Sequence, residues 1–266
     1  MPPHTYIHLV RHAQGYHNLS AANHQIQDPD LTPLGEQQCA ALCAGFPLHE
    51  KVTQLVASPM RRTINTCLLS FAPVVARGGL PVVLLPELQE VSNYPCDTGS
   101  HPDKLVEEFG DKVDVGRVRA AAWDWTDKTS DESPWQPRMG KVEARAVVAR
   151  RWLREVGAAA VKESTKEGGD VHIVVVTHGG FLHFLTEDWD GMNPKQGTGW
   201  DNAECRTYEF KDPEGESDEK ASLVETKASW RRRRGSTKGL TETEQMELRV
   251  ALKGKLVELF GGDVEE

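Results

Sequence analysis

Two histidines in this 266-residue sequence follow short apolar runs: Leu9-Val10-Arg11-His12-Ala13-Gln14 and Val176-Thr177-His178-Gly179-Gly180. A third apolar run leads into Ala57-Ser58-Pro59-Met60-Arg61-Arg62, and a fourth into Pro86-Glu87-Leu88-Gln89-Glu90. An arginine grips phosphate oxygens through a planar fork of donors. A neutral imidazole can attack phosphorus, and a carboxylic acid can protonate a departing oxygen. Together these residues suit phosphoryl transfer through a phosphohistidine, with arginines stabilising the charge that develops. The glycines after His178 would let backbone N–H groups approach an anion closely.

Such residues need elements that bring them together. Tyr6–Val10, Gln54–Ala57, Val82–Leu85 and His172–Thr177 read as strands buried on both faces, the pattern of a parallel sheet covered by helices. Cys205–Phe210 is expected as a fifth strand at an edge. Between them lie helical patterns: one capped by Thr32 with Pro33 first and Leu34, Ala41 and Leu42 inward, and one over Arg62–Phe71. A third carries Val142, Ala146, Ala149, Leu153, Val156 and Ala160 on a single face. The Glu167-Gly168-Gly169-Asp170 turn feeds the last of the four strands. This alternation predicts an α/β three-layer sandwich, with a mostly parallel central sheet flanked by helices. In such sheets ligands bind at the carboxyl ends of the strands, where all four chemistry-bearing segments fall.

Ser92–Gly140 breaks the rhythm with four prolines and Trp123, Trp125 and Trp135, and reads as an inserted, lid-like segment. Residues 1–210 are expected to form the catalytic domain, including this insertion at 92–140. Residues 211–266 are expected to supply a polar linker, the basic run Arg231–Arg234 and a last helix that packs on the domain or extends it. That helix opens with a capping box, Thr241-x-x-Glu244, and sets Leu248, Leu252, Leu256, Leu259 and Phe260 on one face.

Taken in order, the motifs resemble those of the histidine phosphatase superfamily, in its phosphoglycerate-mutase-like branch. Arg11-His12-Ala13-Gln14 followed by Asn18 is similar to the first signature. Leu31-Thr32-x-x-Gly35-x-x-Gln38 resembles the helix start that follows it. Ser58-Pro59-Met60-Arg61-Arg62-x-x-x-Thr66 resembles the second arginine motif, Leu88-Gln89-Glu90 the acid motif, and Thr177-His178-Gly179-Gly180 the second histidine motif. The resemblance spans residues 5–185. It implies that His12 is the nucleophile, that Arg11, Arg62 and His178 hold the phosphoryl oxygens with Asn18 and the backbone near Gly179, and that Glu90 exchanges protons with the leaving oxygen and water. It implies no metal and no cofactor. Glu87 and Asp97 are the rivals for the acid, and Arg61 is placed at the pocket rim. Ala13 stands where the family carries glycine. No Phe-Thr-Gly-Trp-like stretch lies between Asn18 and Leu31, which favours a phosphomonoester hydrolase over a mutase. A mutase-type phosphotransferase and a catalytically weak regulatory or scaffold module are the competing readings.

The charge sum of 31 Lys and Arg against 40 Asp and Glu is −9. An acidic chain is a poor nucleic-acid binder, so the expected partner is a small phosphorylated substrate, with neither nucleic acid nor membrane. Five cysteines without ligand spacing argue against a disulfide framework or a zinc site. The expected compartment is the cytoplasm, with a nuclear address for Arg231–Arg234 as the alternative. Oligomeric state is not readable from the sequence.

Overall fold

The computed structural model describes residues 4–164, 169–193, 195, 197–236 and 238–260. Seven strands form one sheet: β1 (Thr5–Arg11), β2 (Val52–Ala57), β3 (Val82–Leu84), β4 (Val113–Asp114), β5 (Val171–Thr177), β6 (Cys205–Phe210) and β7 (Leu223–Glu225). Their order across the sheet is β4-β3-β2-β5-β1-β6-β7. The first five run parallel, while β6 and β7 are antiparallel to their neighbours. The helices are α1 (Pro33–Gly45), α2 (Arg61–Ser70), α3 (Ala72–Ala76), α4 (Pro102–Phe109), α5 (Gly116–Ala120), α6 (Met139–Ser164), α7 (Gly179–Thr186), α8 (Lys227–Arg234) and α9 (Glu242–Phe260).

Two cores lie on opposite faces of the sheet, which makes three layers. Strand β5 is buried along its whole length and feeds both: Ile173 and Val175 face α6 and α7, while Val174 and Val176 face α2 and the inserted segment. The α6 stripe Val142, Ala146, Ala149 and Leu153 packs on the first face as its spacing predicts, and Ile64, Cys67 and Phe71 of the α2 region pack on the second.

Two expectations are corrected and two features are added. Cys205–Phe210 is not an edge strand, because the three-residue β7 pairs with it outside. The insertion also adds β4 to the other edge. Helix α1 turns Gly35, Cys39 and Leu42 inward, whereas Leu34 and Ala41 are exposed. The cause is Gly35, whose face presses on the preceding loop so closely that a Cβ would lie 2.2 Å from the Gln14 carbonyl oxygen. Finally, the basic run Arg231–Arg234 is partly tied down by ion pairs. Arg233 forms ion pairs with Glu225, Asp188 and Asp190, and Arg234 pairs with Asp190.

The α9 capping box forms, Thr241 and Glu244 bonding each other's backbone N–H. Leu248 and Leu252 pack against the core. The side chains of Leu256, Leu259 and Phe260, and part of the Glu167–Asp170 turn, lie outside the described residues. Among the described residues, no helix is long and apolar enough to cross a membrane.

Candidate active site

Strand register builds the site. Arg11 pairs with Thr177, and Ala57 pairs with both Val176 and Leu84. The last residues of β1, β5, β2 and β3 therefore end together, and backbone bonds tie the next residues across. His12 N–H donates to Thr177 O at 2.9 Å, Ser58 N–H to Val176 O at 3.0 Å, and Leu85 N–H to Ala57 O at 2.9 Å. His12, Ser58 and His178 thus leave the sheet side by side. The His12 and His178 rings have centroids 5.3 Å apart.

His12 is buried, and its Nδ1 lies 2.8 Å from the Ala13 carbonyl. A carbonyl only accepts, so Nδ1 carries the hydrogen and Nε2 keeps its lone pair. Burial, then the charges of Arg62, His17 and Arg11, hold this imidazole well below a histidine's usual value, so it is neutral. Ala13 fits without strain. It is fully buried, its φ is not positive, and its N–H donates to Thr66 Oγ1 at 3.0 Å. The Thr32 motif explains the rest of this loop. Thr32 Oγ1 caps Gly35 and donates to Gln14 Oε1, while Gln38 Oε1 accepts from Gln14 N–H.

Arg62 is fully buried. It donates to Cys96 O at 2.7 Å, to Asp97 Oδ1 at 2.7 Å and to His178 Nδ1 at 3.0 Å. A guanidinium only donates, so His178 holds its hydrogen on Nε2 and gives it to Ser58 Oγ at 2.8 Å. Both ring nitrogens of His178 are therefore engaged, and burial followed by Arg62 keeps it neutral. Half-buried Arg11 donates Nη1 to the Trp200 carbonyl. The Nε atoms of both Arg11 and Arg62 are buried without a partner. Arg61 is not free for a ligand: Glu108 and Asp30 take its guanidinium, in line with its placement outside the phosphate site.

Glu90 accepts three backbone bonds, from Val91, from Gly180 at 3.1 Å and from Phe181 at 2.9 Å. The anion that the second glycine approaches is thus a protein carboxylate, since a Cβ on Gly180 would stand 2.7 Å from Glu90 Oε1. Burial, then the neighbouring Asp97 charge, still raises Glu90 above the usual carboxylate range. Asp97 goes the other way. Burial alone would raise it, but Arg62, then Lys128, then the Ser92 hydroxyl bring it below its ordinary value. Asp97 remains a charged anchor for Arg62. Glu87 sits one turn earlier, and its Oε2 is buried with no partner. Gly179 opens α7 against Thr198, and Asn18 is exposed, with Oδ1 spent on the Gly15 N–H at 3.0 Å.

Three residues here were not legible in sequence. Lys128, from the insertion, is buried and donates to the carbonyls of Glu90 and Ser92, both at 2.9 Å; burial pushes it down to about 7. Arg145 of α6 donates to the Glu87 and Gln89 carbonyls and stacks 4.5 Å over Phe181. His17 lies beside His12, with ring centroids 5.2 Å apart. Only Gly15, two residues before His17, hinted that the chain folds back there. Among the described residues no group of three or more His, Cys, Asp or Glu is placed to hold a metal ion.

Comparison with known proteins agrees with this architecture. A model of the histidine phosphatase superfamily (branch 1) matches residues 7–221. A probable phosphatase of Schizosaccharomyces pombe is 30% identical over 105 residues, 39% of this chain and 49% of its own, so the match spans about half that relative. A phosphoglycerate mutase-like protein of Arabidopsis thaliana is 27% identical over 218 residues, covering 67% of this chain and 72% of that one. In three dimensions, a mycobacterial hydrolase covers 93% of this chain and 97% of its own with a TM-score of 0.51 at 18% identity, a likeness of fold.

Proposed function

This chain belongs to the histidine phosphatase superfamily, and on that premise we propose that it hydrolyses a small phosphomonoester through a phosphohistidine on His12. The observation that carries this reading is the His12 tautomer: a neutral ring with a bare Nε2, beside Arg11 and Arg62, whose buried Nε–H donors are unspent. An unsatisfied buried donor costs free energy that a bound phosphoryl oxygen restores.

In the first half, His12 Nε2 forms a bond to phosphorus as the bond to the ester oxygen breaks. Glu90, whose burial favours the acid form, gives that oxygen its proton. In the second half, the Glu90 carboxylate takes a proton from water as the water attacks the phosphohistidine, and inorganic phosphate leaves with His12 restored. Arg11 and Arg62 neutralise the equatorial oxygens, aided by His178, Asn18 and the Gly179 N–H. His178 joins only by exchanging one of its two present partners. Asp97 keeps Arg62 oriented, so the insertion contributes to the chemistry by anchoring an arginine. The net charge of −9 does not oppose this, because capture is a short-range matter of buried donors.

The test is single-turnover mixing with an aryl phosphate. Wild type should accumulate an acid-labile phosphoenzyme and release inorganic phosphate, and His12→Ala should lose turnover by at least ~10³-fold. Wild-type hydrolysis by His12→Ala would overturn the reading.

A further inference from the structure

His17 has no place in that scheme, yet it stands inside the same pocket. It is 7% exposed in a segment whose neighbours Tyr16, Asn18 and Leu19 are all exposed. Its ring lies on one side of His12 as His178 lies on another, at centroid distances of 5.2 and 5.3 Å. The charged groups that act on it most are Arg62, Asp97 and Arg11, the anchored arginines and their carboxylate.

The way the ring is held decides which nitrogen can be used. Gly15 and Asn18 close a tight turn around it, Gly15 N–H donating to Asn18 Oδ1 at 3.0 Å and Asn18 N–H to Gly15 O at 2.9 Å. The Nδ1–Cε1 edge is pressed against Gly15, where a Cβ would lie 2.8 Å from Nδ1 and 2.9 Å from Cε1. Nδ1 is buried there with no partner. A hydrogen on that nitrogen would be a buried, unsatisfied donor, so the neutral ring carries it on Nε2. That nitrogen is the only polar atom of His17 able to meet a ligand.

Several donors of the neighbouring residues are committed, while the Nε–H groups of Arg11 and Arg62 are not. His178 gives its N–H to Ser58 and accepts from Arg62; Arg62 spends Nη1 and Nη2 on Cys96, Asp97 and His178; Arg11 spends Nη1 on Trp200. We propose that His17 is a third catalytic histidine, its Nε2–H donating to an oxygen of the phosphoryl group as that group passes to and from His12. The inference rests on the phosphohistidine reading above. The ring's burial makes His17 a neutral donor, so it adds a hydrogen bond without adding a charge that would hold product phosphate.

The experiment compares His17→Phe, which keeps a ring and loses the donor, with His17→Gln, whose amide nitrogen reaches about as far as Nε2. The readouts are kcat/KM for an aryl phosphate and the inhibition constant of vanadate, which mimics the five-coordinate transition state. His17→Phe should lose about 10- to 100-fold in both, the worth of a hydrogen bond to a charged group. His17→Gln should recover most of that loss. Gly15→Ala, at a φ of −99° that any residue adopts, should reproduce part of the loss by displacing the ring. It should add much less in a His17→Ala background, because the ring it displaces is gone and only the 3.2 Å approach to the Asp30 carbonyl remains. Equal kcat/KM and vanadate constants for wild type and His17→Phe would overturn the proposal, as would a Gln variant no better than Phe. An inactive His12→Ala beside an unaffected His17→Phe sinks this inference alone. An active His12→Ala sinks the phosphohistidine reading instead.

Discussion

Glu90 shows how one side chain can be both held and used. Its two oxygens accept three backbone N–H groups, which alone would favour the carboxylate, yet burial and Asp97 outweigh them and raise its pKa. The raised value keeps the acid form present to higher pH than an ordinary glutamate. Turnover of a poor leaving group should therefore decline as pH rises through that value, because the proton it needs is lost. Glu90→Gln removes the proton and also turns an amide NH2 towards one of these N–H donors, at a cost of about 1–3 kcal/mol in stability. Melting measurements should register that cost. The catalytic loss is read separately, as a ratio: about 10²- to 10⁴-fold for alkyl phosphates, whose leaving oxygens need a proton, and far less for p-nitrophenyl phosphate. Equal losses on both would move the acid to Glu87.

At the scale of elements, the N-terminus of α7 is the part that fixes Glu90. Gly180→Ala would drive a methyl against Glu90 Oε1 at 2.7 Å and Val91 Cγ2 at 3.0 Å, so the carboxylate must give way. We expect at least ~10-fold lower kcat on alkyl phosphates, with the fold retained. Gly140→Ala is the control: a Cβ there meets nothing within 4 Å, and inside α6 it should stabilise by about 0.5–1 kcal/mol with activity unchanged. Equal activity in both variants would deny α7 its positioning role.

These elements also explain what the sequence showed. Strands β1, β2 and β5 are apolar runs long enough to read, and the three-residue β3 lies in the unbroken apolar run Val82–Leu85. Each leads directly into its chemistry, so the positions of His12, Ser58, Arg62 and His178 were legible from local pattern. Strands β4 and β7 have two and three residues, too few to carry a period. Lys128, Arg145 and the anchoring part of Asp97 depend on contacts between segments 35 or more residues apart, and no local pattern records those. His17 hid in a polar loop because its burial comes from the Gly15–Asn18 turn folding over the site. Helix α1 turns inward a face that its apolar residues do not mark, because Gly35 alone can press on the Gln14 carbonyl.

For the whole molecule, histidine burial sets the response to acid. His8, His12, His17, His172, His178 and His183 are all buried and all depressed chiefly by burial, His8 and His17 to about 3 and His183 to about 4. A folded-state pKa below the unfolded value of about 6.5 means the unfolded chain binds more protons as pH falls. The stability these groups contribute is therefore complete above pH 6.5 and is lost below it. Each histidine at about 3 or 4 gives up about 1.6 kcal/mol between pH 6.5 and 5. Glu90 and Asp28, with raised values, act in the opposite sense, but they are two groups against six. Lys128, at about 7 when folded, is mostly protonated in both states below pH 6.5 and adds little to that fall. Between pH 7 and 8 the folded protein releases its proton while the unfolded chain keeps it, so stability rises there. Three histidines alone sum to about 5 kcal/mol, the lower end of a typical domain's whole stability. The melting temperature should therefore rise gently from pH 7 to 8, as folded Lys128 gives up its proton, and fall steeply from pH 6.5 to 5, above the range where ordinary carboxylates protonate. His8→Gln should make the slope shallower, because that site then takes up no proton on unfolding. A melting temperature unchanged from pH 7 to 5 would mean that the buried histidines are not held neutral, and the bare Nε2 of His12 would lose its physical basis with them.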